Sequence, residues 1–569
     1  MTCKEKILSE DYGELIVDYT NPFTTEEESQ RYCFTRVNSR FGIAYLPQSD
    51  LDSIMGRLYV YHTLPKVFGL MADDFDPISL ISSGILQTQR PPLSLSGRGV
   101  VIAFVDTGIR YAQEEFLNEA GNSRILAIWD QTIQTGTPPE GYEYGTLFTR
   151  EDLNEALRTE NPYDVVPSYD EIGHGTAMAS VAAGSVLEGG RSFRGAAPEA
   201  EIVVVKLRQA KQNLRDYYLI AEGAPAYAET DIMLGVKFAE SFASTFIRPV
   251  VICIGIGANC GNHVIGSSLA QYLNEISYIR NRGIVIGAGN EGNAGHHFSA
   301  PVPHGRLVDS DAYVDVEFRV GEGERGFILE TWGCVPDVLY ASVRTPGGEM
   351  IPRFRLGMGQ SLTYSFIYER TRITIDSVLV EPSSGNELIV FRFDAPTAGV
   401  WTIRIFAAQD GGNGEFHMWL PITQFLSSQT YFLNPSPYVT ITDPGIAERP
   451  ITVSTYDDLN NSFYVNSGRG YLRNGLVKPD LAAPGVNVST SLGKQTGNIV
   501  VNRNKQNIIT KTHTHVSSKL WFRLSYQNKG QVYYSFPIRS LTDNPIFPIM
   551  GREWKRKEFA GLVFLSVEE

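Results

Sequence analysis

The chain has little cysteine, no long apolar run and no surplus of basic charge. Five cysteines occur in 569 residues, Cys3, Cys33, Cys253, Cys260 and Cys334, and none forms a CxxC pair. Such a set is expected to be neither a disulfide framework nor a zinc site, and it suits a reducing compartment. Cys253 lies in an apolar run and reads as a small buried hydrophobe. No stretch approaches the roughly 20 apolar residues of a membrane span. The start, "MTCKEKILSEDYGELIVDYT", has no apolar segment long enough for a secretory leader. A cytoplasmic protein with no membrane partner is the expectation. The formal net charge of -14 argues against a nucleic-acid partner, which favours a basic surface; the acidity itself reads as solubility.

What is present is an ordinary soluble composition, 43% hydrophobic and 20% charged, long enough for two or three domains. Residues 1–75 read as a small α+β unit. Within it "FGIAYLPQSDLDSIMGRLYVYHTLP" predicts a strand, a helix opening after Ser49 or Asp50, and a second strand. A short helix and a Pro/Gly-rich connector follow over 76–98. Then "GVVIAFVDTG", "AEIVVVKLR", "PVVICIGIG" and "GIVIGAGNEG" appear, short continuous apolar runs separated mostly by helix-like segments such as "TDIMLGVKFAESFAS". Buried parallel strands alternating with helices predict an α/β fold with its site at the strand C-termini. Between 305 and 432 the pattern alternates with period two, as in "AYVDVEFRV" and "GVWTIRIFAA", which predicts an inserted antiparallel β-sandwich of jelly-roll type. The α/β pattern resumes over 433–493.

Three stretches sit where α/β chemistry sits. "VVIAFVDTGI" puts Asp106 at the end of a buried strand, although a strand-end Asp is commonly only a helix cap. "DEIGHGTAMASVAAG" opens a slim, alanine-rich helix with His174 between two glycines; a lone His at a helix start is commonly structural. "GIVIGAGNEGNAG" places Asn290 after a strand and a glycine turn, where Asn often just tolerates unusual backbone angles. Together, and in this chain order, "DTG", "GHGT" and "GNEG" resemble the subtilisin family of serine proteases over about 76–305 and 433–493. The resemblance narrows to the Csp-type germination proteases of clostridia and related gut bacteria, through "IVDYTNPF", the missing leader and the insertion.

The resemblance implies a subtilisin-like parallel sheet flanked by helices. It makes Asp106 the residue that orients His174, His174 the general base and acid, and Asn290 the side-chain oxyanion donor. Gly255, Gly257, Gly287 and Gly289 would line the substrate cleft. Residues 1–75 would be a prodomain lying in that cleft, with a protein or peptide, such as a proenzyme, as substrate. No cofactor and no metal are implied, and the location would be cytoplasmic or spore-associated. A permanent structural N-terminal domain is the alternative.

The nucleophile is the exception. After "KPDLAAPG" (478–485) the family keeps a Gly-Thr-Ser-x-Ala run; aligning Thr496 and Gly497 with it puts Ile499 at the serine. Isoleucine has no nucleophilic atom. No alanine occurs between Ala483 and Ala560, and residues 494–557 hold 12 Lys/Arg against 2 Asp/Glu, a net of 12 − 2 = +10. Residues 494–550 therefore read as anomalous, as a frame-shifted or decayed segment would, before a family-like C-terminus at 551–569. Ser489 and Ser491 precede the expected helix, and Ser517 and Ser518 lie beside His513 and His515, a pair that reads as solvated chain rather than a metal site. The expectation is an endopeptidase scaffold that is impaired or inactive; a pseudoprotease acting as a binding module, or the product of a disrupted gene, is the alternative.

Overall fold

The computed structural model of the chain describes residues 1–19, 32–55, 61–71, 83–186, 193–303, 306–307, 310–357, 360–407, 414–457, 460–485, 524–527, 531–536 and 563–564. Its first unit packs helix α1 (Cys3–Leu8) and helix α2 (Gln48–Met55) with strands β1 (Tyr12–Asp18), β2 (Cys33–Arg36) and β3 (Phe41–Pro47), antiparallel in the order β1-β3-β2. The α2 helix opens one residue before Ser49. Residues 56–60 of the expected second strand lie outside the described residues, and 61–64 are turn. The next strand is β4 (Val67–Leu70), which leaves this unit for the main body.

One cysteine expectation is overturned. Cys3 and Cys33 are disulfide-bonded with Cα atoms 5.4 Å apart. The fold brings α1 against β2, a proximity that a 30-residue spacing does not announce. Cys253, Cys260 and Cys334 are free.

The main body is a sheet of nine strands. In chain order they are β5 (Val101–Asp106), β6 (Ile125–Asp130), β7 (Thr146–Thr149), β8 (Glu201–Lys206), β10 (Val250–Ile254), β12 (Arg282–Gly287), β13 (Ile451–Asp457), β14 (Ser462–Phe463) and β15 (Leu481–Pro484). Two short strands, β9 (Tyr227–Ala228) and β11 (Ile256–Gly257), lie outside this sheet. The sheet order is β14-β13-β12-β10-β5-β8-β6-β7, with β15 also paired to β13. All pairings are parallel except β6 with β7 and β13 with β14.

The strands read as continuous apolar runs because both faces are covered. Ala103 and Val105 face a core shared with α4 (Glu229–Ser244) and α5 (Ser268–Ser277). Ile102 and Phe104 face the opposite core, with Met178, Ala179, Ala182 and Ala183 of α3 (His174–Ala183). Alternate side chains of one strand thus feed two cores. The chain order reverses about β5, which has β8 on one side and β10 on the other; such a switch point opens a crevice at the strand C-termini.

Between β12 and β13 the chain builds two antiparallel sheets. One has six strands, from His297–Pro301 to Ser361–Ser365, and the other five, from Met350–Phe354 to Tyr431–Phe432. They share a core that includes Phe318 and Trp401 from one sheet and Phe327 and Phe391 from the other. The first of these strands precedes residue 305. Near the C-terminus, Leu524–Gln527 pairs with Gln531–Phe536, and the latter with Val563–Phe564.

Candidate active site

Asp106 ends β5 and is fully buried. Its Oδ1 accepts from the Thr107 N–H at 2.7 Å and stands 2.5 Å from His174 Nδ1. The imidazole is held in one orientation because α3 itself is fixed. Asp170, also fully buried, accepts from the Gly173 N–H (2.7 Å), the Thr107 hydroxyl (2.8 Å), the Thr176 N–H (2.9 Å) and the Thr176 hydroxyl (2.6 Å). The Gly175 N–H donates to the Thr107 hydroxyl at 2.8 Å. One carboxylate thus ties the first turn of α3 to the loop after β5. Gly173 turns the chain into the helix at φ 87°, a left-handed conformation that favours glycine. At Gly175 a Cβ would collide with the Gly108 carbonyl oxygen, so the second glycine of "GHGT" lets the helix close on Asp106.

The crevice beside His174 is filled by this chain's own N-terminal segment. Strand β4 runs antiparallel to β11 on one edge, with Gly69 opposite Gly257 and Leu70 opposite Ile256. On its other edge it pairs with β9, Phe68 opposite Tyr227. The Met71 N–H donates to the Gly255 carbonyl at 3.3 Å. The Met71 carbonyl oxygen stands 3.4 Å from His174 Nε2. Phe68 and Met71 are buried. The Met71 side chain fills a pocket whose floor needs glycine: a Cβ on Gly257 would overlap its Cε, and one on Gly289 would crowd Thr442. The Thr442 hydroxyl is 3.8 Å from the Met71 sulfur.

The structure therefore brings Asp106, His174, Gly255, Gly257 and Gly289 round one strand end. Asn290 follows Gly289 in the turn after β12, and its neighbour Glu291 accepts from the Thr423 N–H at 3.1 Å and lies 2.6 Å from His296 Nδ1. Gly287 is a β12 residue paired with Val453 in the sheet. Ile499, Ser489, Ser491, Ser517, Ser518, His513 and His515 lie outside the described residues. Sequence reasoning missed Asp170, Thr442 and the 67–71 strand. The four-donor role of Asp170 has a faint trace in "DEIGHGT"; the others are brought in by pairings across hundreds of residues. Among the described residues no group of three or more His, Cys, Asp or Glu is placed to hold a metal, and no helix is long and apolar enough to cross a membrane.

Comparison with known proteins agrees with this geometry. Residues 97–306 match the subtilase family profile (Peptidase_S8). The subtilisin-like protease SBT3.5 of Arabidopsis thaliana is 25% identical over 250 residues, which cover 40% of this chain and 30% of that protein. Its relative SBT3.6 is 24% identical over 278 residues, covering 40% and 34%. The match thus spans about a third of the length of these curated relatives. The Clostridium perfringens CspB protease has a solved structure that superposes with a TM-score of 0.65 at 28% identity, covering 78% of this chain and 84% of that one. The chain is subtilisin-like, of the Csp type, and carries the scaffold of a subtilisin-family protease.

Proposed function

We propose that this scaffold binds an extended peptide strand in the manner of a serine endopeptidase, and that the chain as it stands lacks the group that would cut it. The observation that carries the reading is the line of atoms from Asp106 Oδ1 to His174 Nδ1 at 2.5 Å, and from His174 Nε2 to the Met71 carbonyl oxygen at 3.4 Å. The aspartate holds the proton on Nδ1, and Nε2 stands against the carbonyl of the peptide bond that follows Met71. In an intact enzyme that nitrogen takes the nucleophile's proton and returns it to the leaving amine. Asn290 is the side-chain donor for the oxyanion, a role worth about 3–4 kcal/mol of transition-state stabilisation. Residues 1–75 act as the prodomain, whose strand β4 is kept in the cleft as a first substrate, and the two-sheet insertion is the jelly-roll of the Csp type.

The family's serine position falls at Ile499. Without a nucleophile only a residual ~10³–10⁴-fold acceleration over water remains in such enzymes. The chain is then a pseudoprotease whose cleft is occupied by its own strand. The +10 charge of residues 494–557 and the absence of alanine from 484 to 559 favour a second reading, the product of a disrupted gene, over a long-established binding module.

Incubation of the full chain with a fluorophosphonate probe, followed by intact-mass measurement, tests this. No adduct and no product ending at Met71 are expected. An adduct on any serine, or a clip after Met71, would restore an active enzyme.

A further inference from the structure

In an antiparallel pair, residues alternate between exchanging both hydrogen bonds with the partner and pointing them away. With Met71 bonded to Gly255 and Gly69 opposite Gly257, the N–H and C=O of Leu70 point to the other edge of β4. On that edge β9 reaches only Phe68 and Val67. The place beside Leu70 is taken by one side chain. Gln424 Oε1 accepts from the Leu70 N–H at 3.1 Å, and Gln424 Nε2 donates to the Leu70 carbonyl at 2.7 Å. A carboxamide thus replaces the next strand, satisfying the donor and the acceptor of one residue.

Gln424 sits in the 3-10 turn Thr423–Phe425, on the return path from the insertion. Glu291 fixes this turn through the Thr423 N–H and hydroxyl, at 3.1 and 3.2 Å. Ile422 and Phe425 pack with Val67, Ala226 and Ala228 in one buried cluster. A Cβ built on Gly69 would lie 2.5 Å from Ile422 Cδ1, 3.1 Å from Gln424 Oε1 and 3.2 Å from Phe425 Cε1. Ile422 is only 5% exposed, so its tip has little room to withdraw.

We propose that the turn carrying Ile422, Gln424 and Phe425 is a substrate-positioning wall that the insertion adds to the cleft. Gln424 grips the backbone of the residue before the one presented to His174, and Ile422 and Phe425 admit only glycine one position further upstream. The ligand class is an extended apolar peptide of the form Phe-Gly-Leu-Met, with the glycine two residues before the presented methionine. The inference rests on the reading of β4 as a strand bound in substrate fashion. A site built to hydrogen-bond one group discriminates sharply against ligands that leave it unpaired.

Amide hydrogen exchange on the full chain decides it, because exchange reports local opening amide by amide. In Gln424→Ala the Leu70 amide is expected to exchange about fivefold faster, the worth of one ordinary hydrogen bond. The Met71 amide and those of β5 should stay within about twofold. Gly69→Val should speed exchange across 67–71, and adding Ile422→Ala should restore much of the protection; this pair decides the matter if Gln424→Ala fails to fold. Wild-type Leu70 exchanging at an unprotected rate would sink the bound-strand reading itself. Protected wild-type Leu70 that is indifferent to Gln424→Ala, with no rescue of Gly69→Val, would overturn the wall alone.

Discussion

Replacing Glu14 with Gln should loosen the N-terminal unit from the sheet. Glu14 lies on β1, 7% exposed, and meets the main body through charge. Arg208 reaches it with Nη2 at 2.9 Å, Asp231 with Nε at 2.8 Å and the Ile7 carbonyl with Nη1 at 3.1 Å. The Thr230 hydroxyl donates to the other Glu14 oxygen, and Lys211 stands 3.5 Å away. Burial raises the Glu14 pKa, but Lys211 and Arg208 outweigh it and hold the carboxyl below its ordinary value. Breaking such a buried pair costs about 3–5 kcal/mol, because the partner charge is left behind. Asp231 still neutralises Arg208, so the lower end, about 3 kcal/mol, is expected for Glu14→Gln. Thr230→Val removes one hydrogen bond to a charged group and should cost about 1.5–3 kcal/mol. Urea unfolding followed by circular dichroism gives both values, and limited proteolysis should show residues 1–71 cut first in Glu14→Gln. A Glu14→Gln chain within about 0.5 kcal/mol of wild type, the size of an ordinary surface substitution, would refute the argument that this network seats the unit.

Two further outcomes follow from buried groups. His297 Nε2 meets His417 Nδ1 at 3.0 Å, and both rings stack on Trp419, whose other neighbour is His263; Arg473 and Glu415 are the charged groups facing them. Burial lowers His263 to about 4 and His297 to about 3, and holds His417 well below its ordinary value. Their stabilising contribution is whole above pH 6.5 and is lost as pH falls towards the folded values. Relative to His417→Gln, the wild type should lose about 1.4 kcal/mol per pH unit below 6.5; a gap that stays constant from pH 7.5 to 5 in urea titrations would contradict this. Cys3→Ser, or reduction, opens the 30-residue loop closed by the Cys3–Cys33 bond, which chain-entropy arguments put at about 3.5 kcal/mol; denaturation with and without reductant checks it, and equal midpoints would count against the bond.

The sheet was open to reading because "VVIAFVD" and "IVVVK" have no polar face, as strands covered on both sides require. The insertion was open for the opposite reason: "YVDVEFRV" alternates, and the structure buries Val316, Phe318 and Val320 while exposing Asp315, Glu317 and Arg319. Asp106 and His174 could be paired only through the resemblance of "DTG" and "GHGT", in that order, to the subtilisin family; neither residue's own element announces the other. The strand at 67–71 could not. "KVFGLM" is too short to have a period, and its partners lie at 227–228 and 256–257. Gln424 is further hidden, since its two bonds to Leu70 cross 354 residues. Cys3 and Cys33 carry no spacing rule that separates a bonded pair from two thiols.

Glu291 ties the insertion to the turn after β12. Its carboxylate is 6% exposed and is met by Thr423 on one side and His296 on the other, both belonging to the ends of the added domain. Trimming that domain to a short linker would leave a buried carboxylate without these partners, one residue from Asn290. The two-sheet module is therefore wired into the turn it interrupts, and grafting it out would unsettle Asn290 before any substrate arrived.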